Sequence, residues 1–256
     1  MDPLLPVIAR FAPISLEEME GVALQSRMDT KYLLPAAQLP HLLARLCPEY
    51  RLLEADGARG THYHTQYFDT AGLRCYFDHH NGRPLRFKVR MREYAGSGMC
   101  FLEVKQRTGR GGTVKRRMAI PALLPGLSPH QAAFVAGITH CAEPLLPVFR
   151  NEFLRYTLVH RTRAERLTLD LQLCFRDGDG RQAALPGLCV AELKEGRAGH
   201  GSPFSALMRS LPSPPSGFSK YCTGLALLRP SLKHNLFKPV LLHAGRTANQ
   251  PPFLRS

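Results

Sequence analysis

The stretch Leu85–Tyr94, LRFKVRMREY, alternates two chemistries residue by residue. Arg86, Lys88, Arg90 and Arg92 take every second position, with Phe87, Val89 and Met91 between them. A period of two sends successive side chains to opposite faces of a strand, so one face is apolar and the other wholly cationic. Side chains two apart lie about 6.7 Å from each other. Charges at that spacing repel by roughly 2.5 kcal/mol at an effective dielectric near 20, or about 0.6 kcal/mol in open water. A fold that accepts this strand must set something anionic opposite its basic face.

The pattern recurs. Arg27, Asp29 and Lys31 share a parity in RMDTKYLLP, as do Glu103, Lys105 and Arg107 in MCFLEVKQR. ERLTLDLQL aligns Arg166, Thr168 and Asp170, and LCVAELKE aligns Glu192 and Lys194. TVKRRMAI reads as the hairpin partner of MCFLEVKQR across the turn TGRGGT. THYHTQYFDT and NEFLRYTLVH are strands by their aromatic and β-branched content. That makes eight strands. Helices are expected at LEEMEGVAL behind a Ser15/Glu18 capping box, and at AAQLPHLLARLCPEY, SPHQAAFVAGI, SPFSALMRSL and FSKYCTGLALL.

In a half-buried sheet the polar face looks at bulk water and carries mixed signs. Repetition of a basic face from strand to strand fits another arrangement better. A closed, eight-stranded antiparallel barrel in an α+β fold would turn apolar residues such as Met91 and Leu193 outward against helices and charges into a wet interior. A dozen cations inside are tolerable only where bound anions or lining carboxylates offset them. Residues 1–228 are expected to form this one domain, and the Pro-rich, aperiodic stretch 229–256 a poorly ordered tail.

Composition narrows the partner. Lys and Arg number 34 against 20 Asp and Glu, a net charge of +14. Such an excess favours polyanions. Nucleic acid is not expected, because the chain lacks the aromatics interleaved with basic residues on which single-stranded bases stack. No apolar run would span a bilayer, so any membrane attachment would come through a separate partner. The opening MDPLLPVIARFAP does not read as a secretory signal, and the seven scattered cysteines form no CxxC pair. Both point to a cytoplasmic protein with reduced thiols.

Several tempting signals reduce to structure. GRGGTVKR joins two strands and does not open a helix, so it is a hairpin turn and not a phosphate-cradling loop. VKRRM is embedded in a strand and is not a nuclear-localisation patch. His62 and His64 share a strand face without an obvious third ligand, and His79 and His80 are expected on a loop. Asp170 and Glu103 could be second metal ligands or could hold neighbouring arginines by bidentate pairing; pairing is the preferred reading.

Eight motifs occur in order: YFDT, KVRMREY, FLEVKQR, VKRR, FLRY, RLTLD, AELK and FSKYCTG. Together they resemble the VTC domain, the polyphosphate polymerase module of the vacuolar transporter chaperone family, over about Gln25 to Leu228. That domain is one of the triphosphate tunnel metalloenzymes, alongside the CYTH-type triphosphatases. The resemblance implies that Lys31, Arg90, Arg92, Lys105 and Lys220 act on the transferring phosphates. It implies further phosphate contacts at Lys88, Lys115, Arg155, Arg166 and Lys194, with Glu192 holding a divalent Mn²⁺ or Mg²⁺ ion. The substrates so implied are ATP and polyphosphate. CYTH-type members open with ExExK where this chain has RMDTK, which favours the VTC branch over a plain triphosphatase. Phe153 stands where tyrosine is common. The leading expectation is an ATP-dependent polyphosphate polymerase; hydrolysis of tri- or polyphosphate, and binding of polyphosphate without turnover, are the alternatives.

Overall fold

A computed structural model describes residues 3–20, 27–109, 112–196, 201–211 and 213–248. Gln25, the end of the first expected helix and the Arg110–Gly111 tip of the glycine turn lie outside them. The strands are β1 (Ala12–Ile14), β2 (Arg27–Pro35), β3 (Tyr50–Leu53), β4 (Thr61–Asp69), β5 (Arg86–Tyr94), β6 (Met99–Arg107), β7 (Thr113–Ile120), β8 (Leu146–His160), β9 (Glu165–Asp177), β10 (Gln182–Leu185) and β11 (Leu188–Gly196). The helices are α1 (Leu5–Ile8), α2 (Leu16–Glu20), α3 (Leu39–Leu46), α4 (Arg74–His80), α5 (Pro129–Thr139), α6 (Pro203–Arg209), α7 (Lys220–Leu228) and α8 (Lys238–Thr247).

The eight expected strands form one continuous path, β2-β11-β9-β8-β4-β5-β6-β7, antiparallel throughout. Short strands β1, β3 and β10 pair at its margins, so the sheet has eleven strands, not eight. The expected closure into a barrel is also absent among the described residues: β2 and β7 end the path and do not pair with each other. A competing contact accounts for this at β2. Its outer edge is bridged by the chain at Pro215, and Ser216 donates its backbone N–H to the carbonyl of Lys31. That edge is therefore taken, and β7 runs exposed for most of its length.

Apolar residues of alternate parity are buried under helices, as the barrel reasoning required of the outer face. The stripe Leu39, Leu42, Leu43 and Leu46 of α3 packs with Leu34, Leu158, Leu167, Leu169 and Leu193. Val89, Met91, Leu102 and Val104 lie in a second core with Val135 of α5. Helix α5 starts with a full capping box between Ser128 and Gln131 and a proline in its first turn.

Helix α7 closes one end of the sheet from inside. Tyr67, Phe149, Phe175 and Tyr221 form an aromatic plug there, with the rings of Phe149 and Tyr221 stacked at 5.9 Å. Two of the sequence motifs meet at this plug. Asp69 of YFDT, fully buried, accepts the backbone N–H groups of Thr70, Cys75 and Tyr76 and the hydroxyl of Tyr221 of FSKYC. Residues 229–248, expected to pack poorly, contain α8. Its Leu241 and Ala244 are buried, and α8 packs against β2. His79 and His80, expected on a loop, sit on α4.

Candidate phosphate-binding face

The basic positions of the central strands share the concave face, and three carboxylates organise them. Asp170 on β9 binds Arg155 on β8 through two hydrogen bonds, Nε–Oδ1 at 2.5 Å and Nη2–Oδ2 at 2.7 Å, and also binds Lys220 from α7. Glu103 on β6 pairs with Arg90 on β5 at 2.7 Å and with Lys115 on β7. Glu192 on β11 takes Lys31 of β2 at 2.8 Å on one oxygen and Lys194 at 3.2 Å on the other. Each carboxylate thus bridges two cations. Asp170 and Glu103 are 1% exposed, so the pairing reading of both residues describes what the structure holds.

Ion pairing and burial act against each other here. Burial alone would raise Asp170, but Arg155 and then Lys220 outweigh it and leave the carboxyl at about 2. Glu103 and Glu192 are likewise held far below the usual carboxylate range against burial, chiefly by Arg90 for the first and by Lys194 and Lys31 for the second. All three carboxylates therefore remain charged at neutral pH. The cations feel the opposite pressure. Burial lowers Lys88 to about 8, with Lys105, Lys31 and Arg90 adding repulsion, and lowers Lys220 to about 8 despite Asp170.

These mutual effects also report the curl of the sheet. Lys31 stands on the first strand of the path, yet its charge bears on Lys88 and Lys105 of β5 and β6. The two arms of the open sheet therefore curl toward each other. Arg92 lies 5.1 Å from the ring centroid of Tyr63, and Arg155 lies 4.9 Å from it. Lys220 lies 4.4 Å from the Phe153 ring. Arg92 also donates to Thr65 Oγ1 at 3.4 Å, and Lys88 to Ser219 Oγ at 2.8 Å. Ser219 is in turn the N-cap of α7, accepting from the Cys222 N–H, so one hydroxyl ties the helix start to the basic wall.

Nine of the ten basic candidates are thereby placed in one charge-coupled set: Lys31, Lys88, Arg90, Arg92, Lys105, Lys115, Arg155, Lys194 and Lys220. Arg166 is the tenth. It stands opposite Lys194 in the ladder, but its Nη2 donates to the carbonyl of Met19 at 3.0 Å, which ties it to α2. Sequence reasoning missed the aromatic and hydroxyl components. Tyr63, Thr65 and Tyr67 of THYHTQYFD share a parity that β4 turns onto the cationic face, and Tyr67 stands opposite Arg90 in the ladder. That parity was the available signal. His64 falls on the other face, with Nδ1 2.9 Å from Glu93.

The resemblance assigns a divalent metal to Glu192. Both of its oxygens are engaged by lysines, and among the described residues no group of three or more His, Cys, Asp or Glu side chains could hold an ion. A single hard oxygen ligand suits Mg²⁺ or Mn²⁺ where phosphate oxygens complete the shell. Glu192 fits such an ion only jointly with bound phosphate.

The chain was compared with known proteins by sequence and by structure. No curated protein matches by sequence. An adenylyl cyclase-like protein from Hippeastrum, described as having a dominant triphosphatase activity, is structurally similar at 18% identity and a TM-score of 0.46, covering 82% of this chain and 98% of that one. A protein from Vibrio parahaemolyticus described as an adenylate cyclase is similar at 14% identity and a TM-score of 0.41, covering 73% and 82%. An RNA triphosphatase from S. pombe follows at 11% identity and a TM-score of 0.28, covering 70% and 74%. Among the described residues no helix is long and apolar enough to cross a membrane. The profile of the VTC domain matches residues 26–229, most of the chain and all of the cationic face, and the chain belongs to the VTC domain family.

Proposed function

We propose that this chain is an ATP-dependent polyphosphate polymerase that transfers the γ-phosphoryl group of ATP to a phosphate chain lying on the concave face. The observation that carries the reading is the set of three carboxylates, each bridging two cations drawn from different parts of the sheet and α7. Such bridges hold a dense cation array in fixed positions before any ligand arrives. Phosphoryl transfer needs little more from a protein than positioning and charge neutralisation on the equatorial oxygens. In the proposed reaction a terminal oxygen of the chain bonds to the γ-phosphorus as its bond to the bridging oxygen breaks, releasing ADP. Arg90, Arg92, Arg155 and Lys220 would take up the charge on the transferring group, and Lys31, Lys88, Lys105, Lys115 and Lys194 would hold flanking phosphates. A divalent ion bound jointly by Glu192 and phosphate would add further charge neutralisation.

The test is incubation of the purified protein with ATP and Mn²⁺ or Mg²⁺, following ADP and long-chain polyphosphate together. ADP accompanied by polymer is expected. Free phosphate without polymer would instead make the chain a tri- or polyphosphatase, with water as the acceptor. Binding without turnover would make it a polyphosphate-binding module.

A further inference from the structure

Phe101 breaks the alternation of its strand. On β6 it shares a parity with Glu103, Lys105 and Arg107, so an aromatic ring stands on the cationic face, opposite Arg92 in the ladder. It ends a row of four rings that crosses the sheet. Phe153 of β8 stacks on Tyr63 of β4 at 5.0 Å, Tyr63 meets Tyr94 of β5 at 4.9 Å, and Tyr94 meets Phe101 edge-on at 6.0 Å. Cations lie over the row at both ends. Lys220 and Arg155 lie over Phe153 at 4.4 and 5.3 Å, and the guanidinium of Arg117 on β7 lies over Phe101 at 4.7 Å. The two ends differ in access. Phe153, Tyr63 and Arg92 are buried, whereas Phe101 is half-buried and Arg117 is exposed on the edge strand β7. Among the described residues the Arg117 side chain forms no ion pair: Glu103, opposite it in the ladder, is taken by Arg90 and Lys115.

An exposed arginine held against a ring, and not against a carboxylate, offers a planar surface beside its charge. Nucleobases stack on aromatic rings and on guanidinium planes alike, and the ring behind the guanidinium keeps it in place through cation–π attraction. Adjacent strands lie about 4.8 Å apart, so β7 stands roughly 10 Å from β5, where Arg90 and Arg92 meet the transferring phosphate. The other two phosphates and the ribose of a nucleotide span such a separation. We propose that Arg117, backed by Phe101, is the platform for the base of a nucleoside triphosphate whose terminal phosphate lies at Arg90 and Arg92. This inference rests on the ATP reading above and deepens it by giving the bound nucleotide a direction, base toward the β7 edge and phosphates toward α7. Rings and cations that do not interleave along the sequence are thus interleaved across strands. Only the outer end of the row is open, which suits one base and not a run of them.

Calorimetric titration of the full chain with ATP and with inorganic triphosphate, at matched metal and ionic strength, tests the inference. Arg117→Lys keeps the charge and loses the guanidinium plane. It is expected to weaken ATP binding by about tenfold, within the range of one base stacked on a protein group, and to leave triphosphate binding within about twofold. Phe101→Leu, which keeps apolar bulk without the ring, should have the same selective effect. Equal effects on both ligands, or none on either, would overturn the platform while leaving the phosphate site standing. An unsubstituted protein that binds triphosphate but not ATP would overturn the platform together with ATP as the donor, and one that binds neither would overturn the phosphate reading itself.

Discussion

At the scale of single residues, each cation on the concave face is a compromise between burial and company. Lys88 and Lys220 show it most clearly, since burial brings both to about 8. An unfolded lysine titrates near 10.4. Between about pH 8 and pH 10 the unfolded chain therefore keeps protons that the native protein releases, so stability of the ligand-free protein rises with pH across that window. Triphosphate affinity should move the other way, falling as the two ammonium charges are lost. Denaturant melts at pH 7.5 and 9.5, with triphosphate titrations at the same values, check this; movement of both quantities in one direction would contradict it. Glu192 poses a different case. Glu192→Ala should abolish metal-dependent turnover while the fold persists, because Lys31 and Lys194 stay partly accessible to water, with side chains 29% and 19% exposed. A circular dichroism melt beside the turnover assay separates the two effects, and unchanged turnover in Mn²⁺ would remove Glu192 from the metal role.

At the scale of elements, α7 is the part on which the site most depends. Its first residue is Lys220, its cap Ser219 holds Lys88, and its Tyr221 holds Asp69. The close of FSKYCTG is explained by packing. A Cβ on Gly224 would stand 2.5 Å from Phe175 and 2.8 Å from Phe149, both buried rings with nowhere to move. Gly224→Ala should cost about 1–3 kcal/mol through overpacking, read as a lower urea midpoint. Gly137→Ala on α5, where a Cβ meets nothing within 4 Å, is the control and should leave the midpoint unchanged or higher. The strands were legible in the sequence because period two is a strong signal when its two faces differ as sharply as Arg and Val. Helix α4 was not. It has seven residues and starts behind Leu73, which is left-handed (φ 56°) and has no side chain able to cap. Its first N–H groups are instead taken from outside the helix, by Thr70 Oγ1 at Arg74 and by Asp69 at Cys75 and Tyr76, an offset from the usual N-cap spacing that the sequence pattern does not flag. Helix α8 was hidden likewise, since its buried residues find their partners across the fold.

At the scale of the whole molecule, alternation revealed that charges face inward but not whether the sheet closes. Closure depends on which segment claims the outer edge of β2, and that contact with Pro215 and Ser216 has no local signature. Nor could parity reveal how the cation array survives without a ligand. The three carboxylates were visible as residues, whereas their bridging geometry belongs to the assembled sheet. The central claim is that this face binds phosphate chains specifically and is not a general sink for anions. Among the described residues Lys88 and Arg92 form no salt bridge with a carboxylate, so Lys88→Ala combined with Arg92→Ala removes two site cations without leaving an acid of the bridging triads unpaired. The most direct measurement is a set of thermal melts of the two proteins at matched ionic strength with orthophosphate, pyrophosphate, triphosphate and duplex DNA. A ligand at about 100 times its dissociation constant adds roughly 2.7 kcal/mol. The midpoint of the unsubstituted protein should therefore rise by several degrees, in the order orthophosphate, pyrophosphate, triphosphate, with little response to DNA, and the double variant should lose the triphosphate shift. A DNA shift as large as that of triphosphate, with the double variant responding normally, would contradict the claim.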